Sequence, residues 1–197
     1  MKRLFLICLS IAVCIFITAC SSKPTVETLA NGLPRDIEET MERELGTKMV
    51  VPVLDHYLVK FAGILYPPVI NNKVVGDRRV ATIIYTDQKG PLIELTPEQK
   101  EQIETKQRRK FFYGEFEGKP LITMEISNEK GSLIDAKVQQ IEGIEVEYNF
   151  KEVESGKYGF YSFNVEKGSY FITFQINNSF TEEDAVDFIR RILTSPK

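Results

Sequence analysis

Hydrophobic and polar residues alternate along most of the chain between positions 79 and 177. In residues 144–151, for example, single polar residues separate Ile144, Val146 and Tyr148. A period of two puts neighbouring side chains on opposite faces of a strand, so each such run predicts a strand with one buried face. Turn residues separate the runs at short intervals, which predicts an antiparallel meander. The strands predicted in this way are 79–86, 110–117, 120–127, 136–142, 144–151, 158–165 and 170–177.

Two other segments repeat their apolar residues at the spacing of a helix. In residues 34–45, Ile37, Met41 and Leu45 recur at every fourth position, which predicts a helix with one apolar stripe. Thr181 is a suitable N-cap for a second helix, since three acidic residues follow it in the first turn. The buried stripe of this helix is predicted to be Ala185, Val186, Ile189, Ile192 and Leu193.

The segments between these elements are less regular. Apolar residues fill 49–54 and 57–65, but Pro52 cannot donate a hydrogen bond to a ladder, so edge or irregular strands are predicted there. Thr96 and Pro97 are typical of a helix start. The stretch that follows them is almost wholly polar, which predicts a solvated helix or a loop.

Together these elements predict an α+β fold. A curved antiparallel sheet, similar to a half-open barrel, is expected to carry the N-terminal and the C-terminal helix. Residues 33–197 are predicted to form one domain, in which 33–78 supply the first helix and the irregular strands and 79–197 supply the sheet and the last helix. Seven aromatic residues are expected either to line a cavity or, as is favoured, to fill the concave side of the sheet. They are Phe111, Phe112, Tyr113, Phe116, Phe160, Phe163 and Phe171.

The first twenty residues follow a third pattern. Lys2 and Arg3 precede an uncharged apolar run, 4–17, which is shorter than the ~20 residues that a membrane-spanning helix needs. A basic start, a short apolar run and small residues after it are the parts of an export signal. The run ends in the tetrapeptide Ile17-Thr18-Ala19-Cys20.

This tetrapeptide resembles the lipobox of bacterial lipoproteins at all four positions. The resemblance implies that a signal peptidase of type II removes residues 1–19 and that Cys20 becomes N-palmitoyl, S-diacylglycerol cysteine. Two or three acyl chains anchor a protein firmly, whereas one chain binds only marginally. Residues 20–32 would then be a short tether that holds the domain at the cell membrane, on its extracytoplasmic face. The alternatives are an uncleaved signal anchor and a conventional signal in which Cys20 is incidental.

Cysteine content and charge exclude several classes of function. Cys8 and Cys14 lie in the leader, so the processed chain keeps only Cys20, which carries lipid, and no internal disulfide is expected. The full chain has a net charge of −3, and loss of Lys2 and Arg3 brings it to about −5. An acidic protein is poorly suited to nucleic acid, and one histidine with one lipidated cysteine cannot form a zinc site. No nucleic-acid partner, metal or cofactor is predicted.

Two groups of residues are candidates for chemistry. His56 follows Asp55, which could orient it as a base, but no nucleophile motif accompanies it, so a loop histidine is favoured and no catalytic residue is assigned. A basic cluster could contact anionic headgroups or an anionic wall polymer. The favoured alternative for this cluster is a solvated face neutralised by Glu98, Glu101 and Glu104. The cluster consists of Lys106, Arg108, Arg109 and Lys110.

Three features of the C-terminal half resemble a second family. They are Gly143-Ile144-Glu145-Val146-Glu147-Tyr148, the aromatic strand Ser169-Tyr170-Phe171-Ile172-Thr173-Phe174 and the helix from Thr181 to Leu193. In these features, residues 79–194 are similar to the C-terminal domain of uncharacterised Gram-positive lipoproteins and anti-sigma-factor-like proteins. That domain is related in fold to the lipoprotein carriers, which are half-open barrels closed by a helix. The resemblance implies a binding protein without catalytic residues; the family's usual tryptophan is absent, with Tyr161 or Phe163 in its place.

The sequence as a whole predicts a non-enzymatic lipoprotein of the cell envelope. Its lipid anchor is expected to bind the membrane, and its domain is expected to bind an envelope protein or a wall component. A carrier of a hydrophobic ligand or lipid in a half-barrel cavity is the first alternative. A hydrolase that uses His56 is the most remote alternative.

Overall fold

The computed structural model describes residues 31–195, so the lipidation prediction for Ile17, Thr18, Ala19 and Cys20 lies outside the described residues. Within this range the helices are α1 (Arg35–Leu45), α2 (Pro97–Glu101) and α3 (Glu182–Thr194), and a π-helical turn, Gln102–Lys106, continues α2. The strands are β1 (Leu58–Leu65), β2 (Val69–Ile70), β3 (Lys73–Val74), β4 (Val80–Thr86), β5 (Arg109–Tyr113), β6 (Ile122–Ser127), β7 (Lys137–Ile141), β8 (Ile144–Val153), β9 (Gly156–Val165) and β10 (Gly168–Ile176).

Eight of the strands form one antiparallel sheet in the order β5-β1-β4-β6-β10-β9-β8-β7, and β2 pairs with β3 in a separate hairpin. The sheet is curved and does not close into a barrel. A helix lies at each end of the described chain, so the predicted α+β fold is confirmed. The period-two pattern predicts β6, β9 and β10 well because each of these strands has one buried face.

The position of β1 differs from the prediction. β1 lies inside the sheet between β5 and β4, so the edge strand predicted at 57–65 is wrong, whereas the alternative of an irregular strand is confirmed by two register shifts in β1. Pro52 belongs to a preceding segment that forms no strand, and therefore it interrupts no ladder. A bulge between Val59 and Phe61 frees Lys60, whose Nζ donates to the carbonyl of Gly118 at 3.0 Å.

Both long helices pack on one face of the sheet, here called the covered face. α1 contributes Met41 and Leu45 to the core. Three of the five residues predicted for the stripe of α3 are buried, namely Ala185, Ile189 and Ile192. Val186 and Leu193 are only partly buried. Phe188, which the prediction omits, is buried against the rings of Tyr85 and Phe174.

The aromatic residues are divided between the two faces of the sheet. Phe163 is buried on the covered face. Phe160 lies three residues earlier on the same strand, so it points to the opposite face, where it meets Phe171. Phe111 also lies away from the helices, against Phe61. The prediction that all of these aromatic residues lie together on one side of the sheet is therefore wrong, since Phe111, Phe160 and Phe171 lie on the face opposite Phe163.

The chain enters and leaves β1 at opposite ends of the domain. The carbonyl of Asn31 accepts from the amide of Val59 at 3.3 Å, which places the first described residue at the beginning of β1, here called the start end. After Leu65 the chain continues into β2 and β3, at what is here called the hairpin end. Within residues 31–195, no helix is both long enough and apolar enough to cross a membrane.

Candidate functional site

The helices leave one face of the sheet free, here called the open face. Cross-strand pairing aligns two rows of side chains on it. The first row consists of Phe61, Ile84, Thr123, Thr173 and Phe160. The second row starts on β5, passes over Gly63 of β1 and consists of Phe111, Thr82, Glu125, Phe171 and Ser162.

Aromatic rings stand at both ends of these rows. Phe61, which is buried and only 3% exposed, meets Phe111 edge to face, with 5.0 Å between their ring centroids. Phe160 and Phe171 lie 6.4 Å apart at the other end. The middle of the open face consists mostly of threonines, whose side chains are shorter than the rings.

These ten positions are also poor in charge. Glu125 is the only ionisable residue among them, whereas 27% of the whole chain is charged. The second row continues from Ser162 to Glu147 on β8. Glu125 forms no ion pair with any described residue. The buried centres of protein interfaces are likewise depleted in charge and enriched in aromatic residues. The composition of the open face therefore fits a protein partner better than a charged polymer.

The structure brings most of the predicted basic cluster together at the hairpin end. A shallow cavity of about 370 Å³ opens there. The residues around it are Tyr66, Glu104, Arg108, Arg109 and Lys110. Arg108 has a φ of 56°, and its Nε donates to the carbonyl of Pro67 at 3.3 Å. Lys106 lies on the π-helical turn and does not line this cavity.

The predicted neutralisation of the basic cluster by Glu98, Glu101 and Glu104 does not occur through ion pairs. Within the described part of the chain, no ion pair joins these acids to the basic cluster. Lys110 pairs instead with Glu44 of α1, at an Nζ–Oε1 distance of 2.7 Å. Burial acts to raise the pKa of Glu44, but hydrogen bonds from Lys110 and a neighbouring tyrosine outweigh it and lower that pKa. Two carboxylates, that of Glu44 in the ion pair and that of Glu104 in the cavity wall, thus offset four cations, and the cluster keeps a positive charge.

Sequence reasoning missed a second feature of the hairpin end. Four aliphatic residues of the β2–β3 hairpin are between 43% and 59% exposed to solvent. They are Val69, Ile70, Val74 and Val75. Asn71 and Asn72, between the strands, have φ values of 50° and 59°, as a two-residue type I′ turn requires. The sequence signal for this hairpin is the Asn-Asn pair between two aliphatic dipeptides.

The start end contains a larger cavity, of about 640 Å³, between the beginning of α3 and the turns next to β1 and β10. One part of its wall is apolar and consists of Leu54, Tyr57, Leu121, Phe180 and Phe188. The polar part includes His56, Asp55, Asp87, Asp184, Asp187 and Arg191. His56 is exposed, and among the described residues no hydrogen bond joins it to Asp55. The described residues contain no group of three or more side chains that could hold a metal ion.

Comparison of the chain with protein-family models, curated proteins and solved structures found no match. The resemblances to lipoproteins, over Ile17–Cys20 and over 79–194, therefore stay predictions. The function has to be argued from the leader and from the surfaces of the domain.

Proposed function

We propose that the chain is a lipoprotein, anchored on the extracytoplasmic face of the cell membrane, that binds an envelope protein and catalyses no reaction. The tetrapeptide at 17–20 supports the anchor because it agrees with the lipobox at every position. The open face supports the binding role. The partly buried aromatic pair Phe160–Phe171 is the single observation that carries the choice of a protein partner.

The energetics of the open face favour a partner that covers it. Burial of a phenylalanine side chain contributes about 1.5–3 kcal/mol relative to its exposed state. Phe160 and Phe171 are only partly buried by their neighbours, so a partner gains further apolar contact there. Aromatic residues that are fully desolvated on association are typical binding hot spots. Phe160 and Phe171 are therefore the residues proposed to contribute most to the affinity.

The tether limits where this partner can be. Asn31 lies eleven positions after Cys20, and a fully extended chain of eleven steps spans at most about 40 Å. If Cys20 carries the anchor, the start end of the domain stays within that distance of the membrane. The partner is therefore expected to be a membrane protein or a protein close to the membrane surface.

A carrier of a hydrophobic ligand is the second candidate, and the 640 Å³ cavity supports it. Two observations weigh against a lipid. The rings of Tyr85, Phe174 and Phe188 fill the space between the sheet and α3, with centroids 5.4–5.7 Å apart. The cavity lies at the end of this packed region, and four aspartates border it. A hydrolase that uses His56 has less support, since no hydrogen-bonded Asp55–His56 pair is present.

Site-specific photo-crosslinking in intact host cells tests the proposed function. A crosslinking residue at Thr173, in the middle of the open face, is expected to give an adduct of one defined mass. The matched control is the same residue at Glu183, which is exposed on α3. It is expected to give no adduct, because α3 lies on the other side of the sheet.

A second variant tests whether the adduct reflects binding. Phe171→Glu in the Thr173 crosslinking chain is expected to reduce the adduct about tenfold or more, as loss of a hot spot does. The melting temperature is expected to stay nearly unchanged because Phe171 does not belong to the packed core. Equal adducts from Thr173 and Glu183, or an adduct that Phe171→Glu leaves intact, would contradict binding through the open face.

A further inference from the structure

The β2–β3 hairpin carries aliphatic side chains on both of its faces. Val69 pairs with Val74 across the two strands, so these two side chains share one face. Ile70 and Val75 are their neighbours in sequence and therefore point to the other face, where Ile70 pairs with Lys73. A surface that docks on a protein needs only one apolar face. A hairpin with exposed aliphatic side chains on both faces suits a medium that surrounds it.

The hairpin is also held in a fixed shape. Its ladder continues beyond the two strands, since the amide of Val75 donates to the carbonyl of Pro68 at 2.9 Å. The positive φ values of Asn71 and Asn72 close the turn. At the base, Arg108 of the basic cluster donates to the carbonyl of Pro67. The aliphatic tip and the basic cluster are therefore tied into one unit.

Positive charge surrounds the base of the hairpin. Segments 65–79 and 104–110 contain seven Lys and Arg residues but only two acidic residues. Within residues 31–195, ion pairs engage only Lys110 of these seven cations. This local excess is opposite in sign to the net charge of −3 of the whole chain. It favours an anionic partner.

We propose that the β2–β3 hairpin and the basic cluster form a second membrane contact, in which the exposed aliphatic side chains of the hairpin enter an anionic lipid surface and the cations meet its headgroups. Apolar residues flanked by Lys and Arg are the features that bind proteins to the interface of an anionic bilayer. The proposal rests on the anchoring part of the proposed function. It is independent of the open face, which lies on the sheet and stays available to a partner.

The tether is long enough for both contacts. Ile70, next to the turn of the hairpin, lies eleven positions after Val59, which is hydrogen-bonded to Asn31, and this stretch spans at most about 40 Å. The tether between Cys20 and Asn31 has the same number of residues and the same maximum reach. The acyl chains and the hairpin can thus reach one membrane. The aspartates around the start-end cavity would be repelled by anionic lipid, which favours the hairpin end as the side that faces it.

The experiment uses the processed, lipidated chain reconstituted into vesicles. Because Cys8 and Cys14 leave with the leader and the thiol of Cys20 carries lipid, one introduced cysteine is the only free thiol. An environment-sensitive fluorophore is attached at Ile70→Cys, and the matched control carries it at Val138→Cys on edge strand β7. The two side chains are 56% and 58% exposed. The readout is quenching of the fluorophore by brominated lipids.

In mixed phosphatidylcholine–phosphatidylglycerol vesicles, quenching at position 70 is expected to be about twofold or more above that at position 138, and to fall in pure phosphatidylcholine and at high salt. Quenching at position 70 no greater than at position 138 overturns the proposal. A label at position 70 that is shielded from water in native membranes but not in lipid vesicles also overturns the proposal, because it would point to a protein partner. Only chains that float with the vesicles are measured, so failure of the anchor is seen separately as failure to float.

Discussion

Replacement of Phe174 by alanine is expected to lower the free energy of unfolding by about 3–5 kcal/mol. The ring is fully buried on the covered face. It contacts the rings of Tyr161, Phe180 and Phe188 at centroid distances of 5.3–5.5 Å. Because β10 and α3 border the cavity that alanine would leave, the surroundings can collapse only in part. Urea unfolding followed by circular dichroism measures the change.

Phe160→Ala is the matched control for this prediction. Phe160 lies on the neighbouring strand β9, but on the open face, where it is only partly buried. Its loss is expected to cost about 1 kcal/mol or less. A cost at Phe160 as large as that at Phe174 would mean that both faces of the sheet are covered in solution. The proposal of a binding surface on the open face would then have to be withdrawn.

Gly114→Ala is expected to destabilise the domain by about 3–5 kcal/mol. Gly114 has a φ of 71°, and a residue with a side chain pays about 1–2 kcal/mol for this conformation. A Cβ atom at this position would also overlap the backbone carbonyl of Lys60, at the bulge of β1. That carbonyl accepts a hydrogen bond from the amide of Phe116 at 3.0 Å, so it cannot move without loss of the bond.

Gly46→Ala separates the cost of a positive φ from the cost of the overlap with the carbonyl of Lys60. Gly46 ends α1 with a φ of 80°, and a Cβ atom there would meet no atom within 4 Å. Only the conformational cost of about 1–2 kcal/mol is expected. Thermal unfolding of both variants measures the difference. Equal destabilisation at the two positions would mean that the close approach at Lys60 does not constrain the fold.

Local pattern predicts the elements of this fold better than their arrangement. The alternation of Ile144, Val146 and Tyr148 marks β8 because a half-buried strand needs that period. Thr181 caps α3 as predicted, by accepting from the amide of Asp184 at 3.3 Å. Such features depend on neighbours within a few residues. They can therefore be recognised in the sequence alone.

The order of the strands depends on contacts that are distant in sequence. β1 lies between β4 and β5, and nothing within 57–65 specifies those two neighbours. The sequence predicts in part on which face of the sheet the aromatic residues lie. Phe160 and Phe163 are three positions apart on one strand, so they cannot share a face. The expectation of a single concave cluster overlooked this constraint.

The candidate surfaces divide in the same way, into features with a local sequence signal and features that depend on contacts distant in sequence. The basic cluster is visible in the sequence because its residues are adjacent, but its acidic partner is not. Glu44 pairs with Lys110 although 66 positions separate them. The open face is also hidden in the sequence, since it combines residues from six strands. The hairpin, with Asn71 and Asn72 at its turn, does carry a local signal, as the basic cluster does.

The anchor is the central claim, and intact mass together with membrane partitioning in the native host tests it most directly. Wild-type chain is compared with Cys20→Ala. The expected wild-type product begins at residue 20, carries the added mass of acyl chains and stays with the membrane. The variant is expected to lose both the added mass and the membrane retention. A wild-type chain that keeps residues 1–19, or that carries no lipid, would contradict the anchor and the proposals that depend on it.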